Sequence, residues 1–321
     1  MSSVEGEPQV PNERRKVFFG LFVFPMLIAV KMAVLLTSIV LLTQEDETPE
    51  SLITAIKTGA PSKRWQKAFE LSNELNSPAG LLRSAGIMNE MIHILHGRDR
   101  YDAKTRAYMA MALSRFRNEE AQNALLEALR DEPDTEDPKV ILFLMWALGD
   151  DGMKNGSNVA EPTVRYRYSK RPTAAQPSSA EPTAGLSEPS QTIARFLSHE
   201  EPDVRKGAAY VLGVLGDPNA REGLGRLLSD AVADVRWNAA LSLARLGDNA
   251  GEDVLVTMLE RQQLESTHAL GESEIERIMT NAAKGLGLIQ SERARAVLEE
   301  IAATDKNLKV RQAALAALEH R

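Results

Sequence analysis

The stretch EPDVRKGAAYVLGVLGDPNAREGL, Glu201–Leu224, decides the fold, because a closely similar sequence follows it in the chain. Residues Ala233–Leu255 read ADVRWNAALSLARLGDNAGEDVL, with Asp-Val-Arg, a run of Ala and Leu, and Leu-Gly-Asp in the same order. Self-similarity at a short fixed period is typical of a repeat array. Such an array builds an extended surface by stacking each unit on its neighbours.

The arginine of Asp-Val-Arg gives the register of the array. From Arg205 the pattern returns after 31 residues, and a base interval of 31 to 35 residues with insertions extends along the chain. Two copies replace the arginine, with Ile141 and Met279. The period and the spacing of the apolar residues predict a helical solenoid. The copies that keep the arginine are Arg64, Arg106, Arg205, Arg236 and Arg311.

Each unit is predicted to be a pair of helices. In the best copy, Asp203 is a candidate N-cap before a helix with small and apolar residues at helical spacing. Gly216 can adopt the left-handed conformation that ends this helix, and Asp217 can cap the next one. Only small side chains fit where adjacent helices approach closely. We place four of them there: Ala208, Ala209, Ala239 and Ala240.

The helix that carries the repeat arginine position is called first-type, and the helix that follows it in the unit is called second-type. We expect seven of each, alternating along the chain. The array is predicted to start on a second-type helix and to end on a first-type helix, Val310–Glu319. After Arg261 the segment QQLESTHALGESE either lengthens a helix or forms a loop. The second-type helices are predicted over 50–58, 81–96, 119–130, 190–198, 219–229, 251–261 and 291–303.

The motifs Asp-Val-Arg, Ala-Ala-x-x-Leu and Leu-Gly-Asp-Pro resemble the HEAT repeats of the bacterial phycobilisome-lyase-like subclass. The resemblance covers about residues 50–321, less one insertion, and implies an all-α, right-handed alpha-alpha superhelix of about six or seven helix pairs. It also implies that the opening Asp and Arg pair along the stack. The candidates for this structural ladder are Asp203 with Arg205 and Asp234 with Arg236, joined by Arg64, Arg106 and Arg311.

An anion-binding row is the alternative interpretation of these arginines. Lys309, two residues before Arg311, departs from the pattern of opening aspartates. The missing arginines at Ile141 and Met279 depart from it as well.

The N-terminal run Val17–Leu42 is almost wholly apolar, and Lys31 is its one charged residue. Since about 20 apolar residues suffice to cross a bilayer as a helix, the sequence predicts a transmembrane helix over 17–43 after a tail at 1–16. Basic residues before the run and acidic residues after it predict a cytoplasmic N-terminus, an inner-membrane location and extracytoplasmic repeats. Lys31 is expected either to bend toward a headgroup region or to pair with a group on a neighbouring membrane protein.

A segment rich in Pro, Ala and Ser at 153–188 interrupts the array and contains AEPT twice. It separates N-terminal repeats at 44–152 from C-terminal repeats at 189–321, and its composition predicts disorder. The basic stretch RYRYSKR at its centre is either part of a solvated loop or a docking segment for an acidic protein surface or lipid headgroups. Its candidate contact residues are Arg165, Tyr166, Arg167 and Tyr168.

Residues for catalysis or metal binding are sparse. The net charge of −7 argues against a nucleic-acid partner, and the lack of Cys removes thiol chemistry. Glu90, His93 and His96 share one helix face, but no second such set exists in the sequence, so we expect neither a metal nor another cofactor. Ser198-His199-Glu200 resembles a single His-Glu pair of deoxyhypusine hydroxylase, a HEAT-repeat di-iron enzyme with several such pairs.

The sequence therefore predicts a membrane-anchored scaffold that binds another protein, as an accessory subunit of a bacterial envelope complex. Glu222 and Arg226, on the polar side of a second-type helix, are further candidate partner contacts. The alternative is an enzyme of the bilin lyase or deoxyhypusine hydroxylase type.

Overall fold

The computed structural model describes residues 23–43, 48–75, 85–133, 137–150, 187–267 and 270–319. The chain divides into two compact units, Met1–Thr48 and Pro49–Arg321. The described part of the first unit is helix α1, Phe24–Thr43. Pro25 lies in its first turn, where a residue without an amide hydrogen is tolerated.

The predicted transmembrane helix over 17–43 is wrong. In the part of the chain that the structure describes, no helix combines the length and the apolar character that crossing a bilayer requires. The beginning of the predicted span, residues 17–22, lies outside the described residues, and the charge of Lys31 interrupts the apolar sequence of α1. The predicted inner-membrane location and single-pass orientation depend on this transmembrane helix and are therefore wrong as well.

The second unit is a succession of helices. It also contains three short 3₁₀ turns, Arg195–Ser198, Pro218–Ala220 and Asn249–Gly251. The helices are α2 Pro49–Thr58, α3 Pro61–Glu74, α4 Ala85–His96, α5 Ala103–Leu113, α6 Glu119–Asp131, α7 Pro138–Asp150, α8 Glu188–Ala194, α9 Pro202–Leu215, α10 Arg221–Leu227, α11 Ala233–Arg245, α12 Glu252–Thr257, α13 Arg261–Thr267, α14 Glu272–Leu288, α15 Glu292–Thr304 and α16 Leu308–Glu319.

These helices form two rows. The first-type helices α3, α5, α7, α9, α11, α14 and α16 stack on one another in this order. Each also packs on a second-type helix of its own pair, which gives seven pairs among the described residues: α2 with α3, α4 with α5, α6 with α7, α8 with α9, α10 with α11, α12 with α14, and α15 with α16. The predicted all-α repeat solenoid is confirmed. The surplus after position 261 is a short extra helix, α13, which packs on α14.

Left-handed residues end the first-type helices at the point that the repeat predicts. Gly216 and Gly247 follow α9 and α11 with φ of 72° and 69°, a conformation that a glycine adopts without a Cβ clash. The next residue then caps the following turn, as Asp217 does by accepting a hydrogen bond from the Asn219 amide. The prediction of Asp203 as an N-cap is wrong. Glu201 is the N-cap residue of α9, and Asp203 lies inside the first turn of this helix.

Small residues set the distance between the stacked helices. Ala208, Ala209, Ala239 and Ala240 are all buried, as predicted. A Cβ atom on Gly213 would lie 2.5 Å from that of Ser242 on the next first-type helix, so α9 and α11 approach too closely there for any side chain. The buried apolar residues form two clusters that meet in α11, one covering the N-terminal pairs and one covering the C-terminal pairs.

Most of the predicted insertion lies outside the described residues. Residues 151–186 are among those not described, so Arg165, Tyr166, Arg167 and Tyr168 have no place in the account of the fold. The same holds for the tail at 1–16. The interruption leaves the stack continuous, because α7, before it, packs directly on α9, after it.

Candidate protein-binding surface

The repeat arginines occupy one equivalent place in the stack. Arg64, Arg106, Arg205, Arg236 and Arg311 are each the fourth residue of a first-type helix. We call them the arginine row. Arg205 Nη1 donates to the carbonyls of His199 and Glu200, at 2.7 and 2.9 Å, in the segment that leads into α9. The other row arginines make equivalent bonds to backbone carbonyls. Arg64 donates to the Gly59 carbonyl, Arg236 to the Asp230 carbonyl and Arg311 to the Asp305 carbonyl, at 3.0, 2.7 and 2.9 Å.

The carboxylate that Arg205 binds belongs to the next repeat. The Nε and Nη2 atoms of Arg205 donate to the two carboxylate oxygens of Asp230, at 2.7 and 3.0 Å. Asp203 accepts from Lys206 at 2.6 Å, and Asp234 lies 3.9 Å from the same Lys206 ammonium. The opening aspartates therefore share a lysine, and the partner of Arg205 is an acid three residues before α11.

The most buried contact of the row joins Arg106 to Glu132. The side chain of Arg106 donates to both oxygens of Glu132 and, through Nε, to the Leu95 carbonyl at 2.9 Å. Arg98 adds a third bond to Glu132 at 3.3 Å. Glu132 is 2% exposed, so this pair replaces hydration with a set of directed hydrogen bonds.

Two arginines outside the row serve the repeats that lack one. In the repeat of Ile141, Arg195 reaches back from the end of α8 and donates to the carbonyls of Leu129 and Glu132, at 2.7 and 3.1 Å. It also bonds the Arg130 carbonyl, at 3.1 Å. These carbonyls lie at the end of α6, so Arg195 caps the C-terminus of that helix.

In the repeat of Met279, Arg261 supplies the guanidinium. Its Nε and Nη2 donate to the two oxygens of Asp305, at 3.1 and 2.8 Å. Burial raises the pKa of Asp305, but the hydrogen bonds from Arg261 and the Asn307 amide lower it by more. The pKa of Asp305 therefore lies below its ordinary value. Lys309 also finds a partner one repeat back, Glu276 at 2.8 Å.

These contacts all lie within the chain, and the structural ladder stays a prediction. The guanidinium groups are directed at carbonyls and carboxylates of the chain itself. A cleft of about 360 Å³ beside Arg106 is no exception, since its two arginines both pair with Glu132 and its lining includes the acid Asp131. Such a cleft does not select anions by net charge. Its lining is Leu95, His96, Arg98, Arg106, Ala128 and Asp131.

The histidine motifs have other contacts. Glu90 binds the Lys57 ammonium at 2.8 Å. His199 accepts a hydrogen bond from the Glu201 amide at 3.0 Å, as part of the segment that Arg205 caps. Within the described ranges, no group of three or more His, Asp or Glu side chains is placed to hold a metal ion.

A chain of aromatic rings follows the outer side of the first three first-type helices. Phe69 of α3 meets Tyr108 of α5, with ring centroids 5.3 Å apart, and Tyr108 meets Phe143 of α7 at 5.7 Å. Phe143 in turn lies 5.3 Å from Trp146 on the same helix. Phe69 is 44% exposed and the other three rings are half-buried. We call these four residues the aromatic face.

The repeat register contains a signal for this face that sequence reasoning missed. Tyr108 and Phe143 lie two residues after the arginine position of their helices, and Phe69 and Trp146 lie five residues after it. Reading the copies of the repeat one above the other would have aligned the four aromatics on one side. No catalytic or metal-binding motif indicates these four residues, because aromatic side chains belong to no such motif here.

The C-terminal half has no equivalent of the face at the same positions. The place of Phe143 is taken by Gly207 in α9 and by Asn238 in α11. The place of Trp146 is taken by Tyr210, which is only 5% exposed and lies under the Arg245 guanidinium, 5.1 Å from the ring centroid. The two halves therefore share a stack and differ in what the stack presents.

The remaining predicted contact residues belong to other helices. Glu222 and Arg226 form an exposed ion pair of 2.8 Å within α10, a second-type helix. Lys31 lies in α1, in the first compact unit.

The comparison with family models concerns the repeats. Residues 190–269 and 265–319 match the model described as HEAT repeats. Residues 105–131 match the model described as PBS lyase HEAT-like repeat. The predicted resemblance is confirmed for these parts of the chain.

Several solved helical-repeat proteins are similar to this chain at low identity. A chain in the complex of CpcE and CpcF of phycocyanin lyase from a Nostoc species is 13% identical, with a TM-score of 0.48, and the match covers 86% of this chain and 96% of that one. Human deoxyhypusine hydroxylase in complex with glycerol is 18% identical, with a TM-score of 0.31 and coverage of 85% and 83%. A designed armadillo repeat protein is 16% identical, with a TM-score of 0.37 and coverage of 85% and 99%. No curated protein matches the chain in sequence.

Proposed function

We propose that the protein is an interaction scaffold that binds another protein through the aromatic face. One observation carries this proposal: four aromatic side chains from three successive repeats form a continuous, partly exposed row. Aromatic residues are enriched at interface cores and among the residues that dominate binding energy. Contiguous apolar surface of this kind is typical of an interaction site.

The packing beneath the face supports the proposal. The rings stand on α3, α5 and α7, whose inner sides are fixed by buried apolar residues and by the Arg106–Glu132 pair. A surface held by rigid helices loses little conformational entropy when a partner docks. Repeat arrays can also present their surface over several units, which suits a scaffold in a larger assembly.

The test places a photo-crosslinking residue, p-benzoyl-phenylalanine, at position 143 of the full-length chain in its native host. We expect a discrete crosslinked adduct that disappears when Phe69→Ala is added, because both positions contact the same partner. Leu308, 58% exposed on α16, is the matched control position for a crosslinker on exposed apolar surface away from the face. Equal adducts from 143 and 308, or an adduct insensitive to Phe69→Ala, would show that the aromatic face is not the binding surface.

A further inference from the structure

Arg245 differs from three other half-buried arginines of the C-terminal repeats. Arg205, Arg236 and Arg261 donate to carbonyls or carboxylates of the chain. Arg245 is the last residue of α11, and its Nη1 atom is buried without a hydrogen-bond partner in the described part of the chain. A buried donor with no acceptor costs free energy, and the cost is larger when the donor is charged. The stack itself does not offset this cost.

No local role accounts for the Arg245 guanidinium. An arginine in the last turn of a helix can bind the free carbonyls there, but the carbonyl that follows α11, that of Leu246, accepts a hydrogen bond from Arg221. Burial lowers the pKa of Arg245 and the nearby Tyr210 raises it by less, while no acid and no second cation of the described residues shifts it. Since an arginine stays protonated at neutral pH, Arg245 carries a positive charge without a carboxylate to balance it.

The ring of Tyr210 fixes the position of this guanidinium. The central carbon of the Arg245 guanidinium lies 5.1 Å from the centre of the ring, and Tyr210 itself is buried. A guanidinium over an aromatic ring uses one of its faces, and its N–H groups point outward in its own plane. Arg245 as a residue is partly exposed, which leaves a route from solvent to these donors.

The guanidinium lies near the end of the aromatic face. A Cβ atom on Gly207 would lie 4.0 Å from the indole nitrogen of Trp146, so Trp146 reaches α9 at this residue. Tyr210 follows Gly207 by three residues, on the same side of α9. Three residues of an α-helix rise about 4.5 Å, so the ring under Arg245 lies within one helical turn of the place that Trp146 contacts.

We propose that Arg245 binds a carboxylate group of the protein that docks on the aromatic face. This rests on the proposed function and adds a polar anchor at one end of the binding surface. A carboxylate is planar and can accept two parallel hydrogen bonds from one guanidinium. Its single negative charge also matches a lone arginine, whereas a phosphate group carries up to two charges and suits a cluster of cations.

The free protein provides the first test, because an unpaired buried charge weakens the fold that contains it. Arg245→Met keeps much of the side-chain volume and removes the charge. Its matched control is Arg205→Met, since Arg205 binds both carboxylate oxygens of Asp230. We expect the melting temperature of Arg245→Met to equal or exceed that of the unchanged chain and that of Arg205→Met to fall by several degrees. An equal fall in both variants would make Arg245 a structural residue and overturn the proposal.

The second test measures the binding of a carboxylate directly. Full-length protein is titrated with sodium acetate or, at the same ionic strength, with sodium chloride. The Nε–H resonance of Arg245 in nitrogen-15 NMR spectra, assigned by its loss in Arg245→Lys, reports on the site. We expect acetate to shift this resonance to saturation and to stabilise the chain more than chloride does, by an excess that shrinks in Arg245→Met. Equal shifts with the two salts, or an excess that is unchanged in Arg245→Met, overturns the carboxylate site.

The crosslink from position 143 separates this inference from the proposed function. We expect Arg245→Met to weaken the adduct at least about threefold, because the partner loses a charged anchor, and Arg226→Met, at an exposed arginine of α10, to leave it unchanged. An undiminished adduct in Arg245→Met, with acetate still bound to the unchanged chain, assigns the site to a free small carboxylate and overturns its role in docking. Absence of any specific adduct from the unchanged chain removes the proposed function, and with it the partner, while the acetate titration still decides whether Arg245 binds a carboxylate.

Discussion

The first-type helices of the N-terminal half and those of the C-terminal half have the same interior and different exteriors. In both halves small residues face the next helix, as at Ala110 and Ala209, which are fully buried. Phe143 and Trp146 of α7 are partly exposed, whereas α9 has the buried Gly207 in place of Phe143 and the buried Tyr210 in place of Trp146. Since the interior alone is common to all repeats, it specifies the stack, and the exterior is free to carry binding chemistry.

The charged residues show the same difference between the interior and the exposed sides of the stack. In the two repeats without a row arginine, another arginine binds the chain nearby, as Arg195 does at the end of α6 and Arg261 does at Asp305. On the exposed sides, α5 and α7 carry Lys104 and Lys139 at the repeat position that Asp203 and Asp234 hold in α9 and α11. Interior changes should therefore destabilise the protein in either half, and exterior changes should leave its stability nearly unchanged.

The largest effect is expected at the most buried ion pair. Glu132→Gln keeps the shape of the side chain and leaves the Arg106 charge without its carboxylate. Removing one partner of a buried pair costs about 3–5 kcal/mol of unfolding free energy. Asp230→Asn is the matched change in the C-terminal half, where Arg205 is less buried, and should cost less, roughly 1.5–3 kcal/mol. Denaturant melts of both variants check the ranking, and an equal or reversed order would contradict the assignment of Glu132 as the more buried anchor.

The next effect tests the close approach of the stacked helices. Ala209 and Ala240 are the eighth residues of α9 and α11 and are fully buried, so Ala209→Leu or Ala240→Leu should destabilise the protein by about 1–3 kcal/mol. Leu315 is the eighth residue of α16 and is 50% exposed. Leu315→Ala should therefore change the unfolding free energy by less than about 0.5 kcal/mol. Silent changes at 209 and 240 would mean that the repeat register is wrong.

Much of this interior could be read from the sequence because it depends on local patterns. The Ala and Leu spacing, the left-handed Gly216 and the cap at Asp217 involve residues within one unit, so a single copy predicts them. The seven helix pairs follow from counting copies. The order of α2 to α16 was therefore predictable, apart from the status of the segment after 261.

The parts that could not be read from the sequence join separate units. Arg195 lies 63 residues from Glu132, and Arg261 lies 44 residues from Asp305, so no local pattern links them. The family resemblance implies that opening aspartates such as Asp203 pair with the repeat arginines along the stack, whereas Arg205 binds Asp230. The N-terminal run predicted a transmembrane helix from its apolar composition, whereas its described part, α1, includes the charged Lys31 and is not long and apolar enough to cross a bilayer.

A pH dependence should follow from Arg261 and Asp305. Because the pKa of Asp305 is lowered in the folded protein, its contribution to stability is present above the pKa of the unfolded chain and is lost as the pH falls through the folded value. Unfolding free energy measured from pH 6 down to pH 2 should therefore fall in the acid range. Asp305→Asn should flatten part of this fall, and an unchanged pH profile in that variant would contradict a stabilising role for the charge pair.

A smaller effect of opposite sign is expected between α5 and α6. Arg117 has φ of 49° where the C-terminal repeats place Gly216 and Gly247. The left-handed conformation costs a non-glycine residue roughly 1–2 kcal/mol, and a glycine raises the entropy of the unfolded chain by about 0.5–1 kcal/mol. Arg117→Gly should thus stabilise the protein by about 0.5–1 kcal/mol, and Gly216→Ala should destabilise it. Thermal melts test both, and a loss of stability in Arg117→Gly would show that the Arg117 side chain contributes more than its strained backbone costs.

The smallest effect is expected on the exterior of the C-terminal half. Glu222 and Arg226 are exposed on α10, and their ion pair spans one helical turn at 2.8 Å. Solvent screens such a pair, and holding two long side chains in one geometry costs entropy, so Glu222→Ala and Arg226→Ala should each change stability by no more than about 0.5 kcal/mol. Neither residue adjoins the aromatic face, so we also expect the crosslink from position 143 to persist in both variants. A variant that unfolds would place this side of α10 in the interior, and a variant that folds but loses the crosslink would extend the binding surface to the second-type helices.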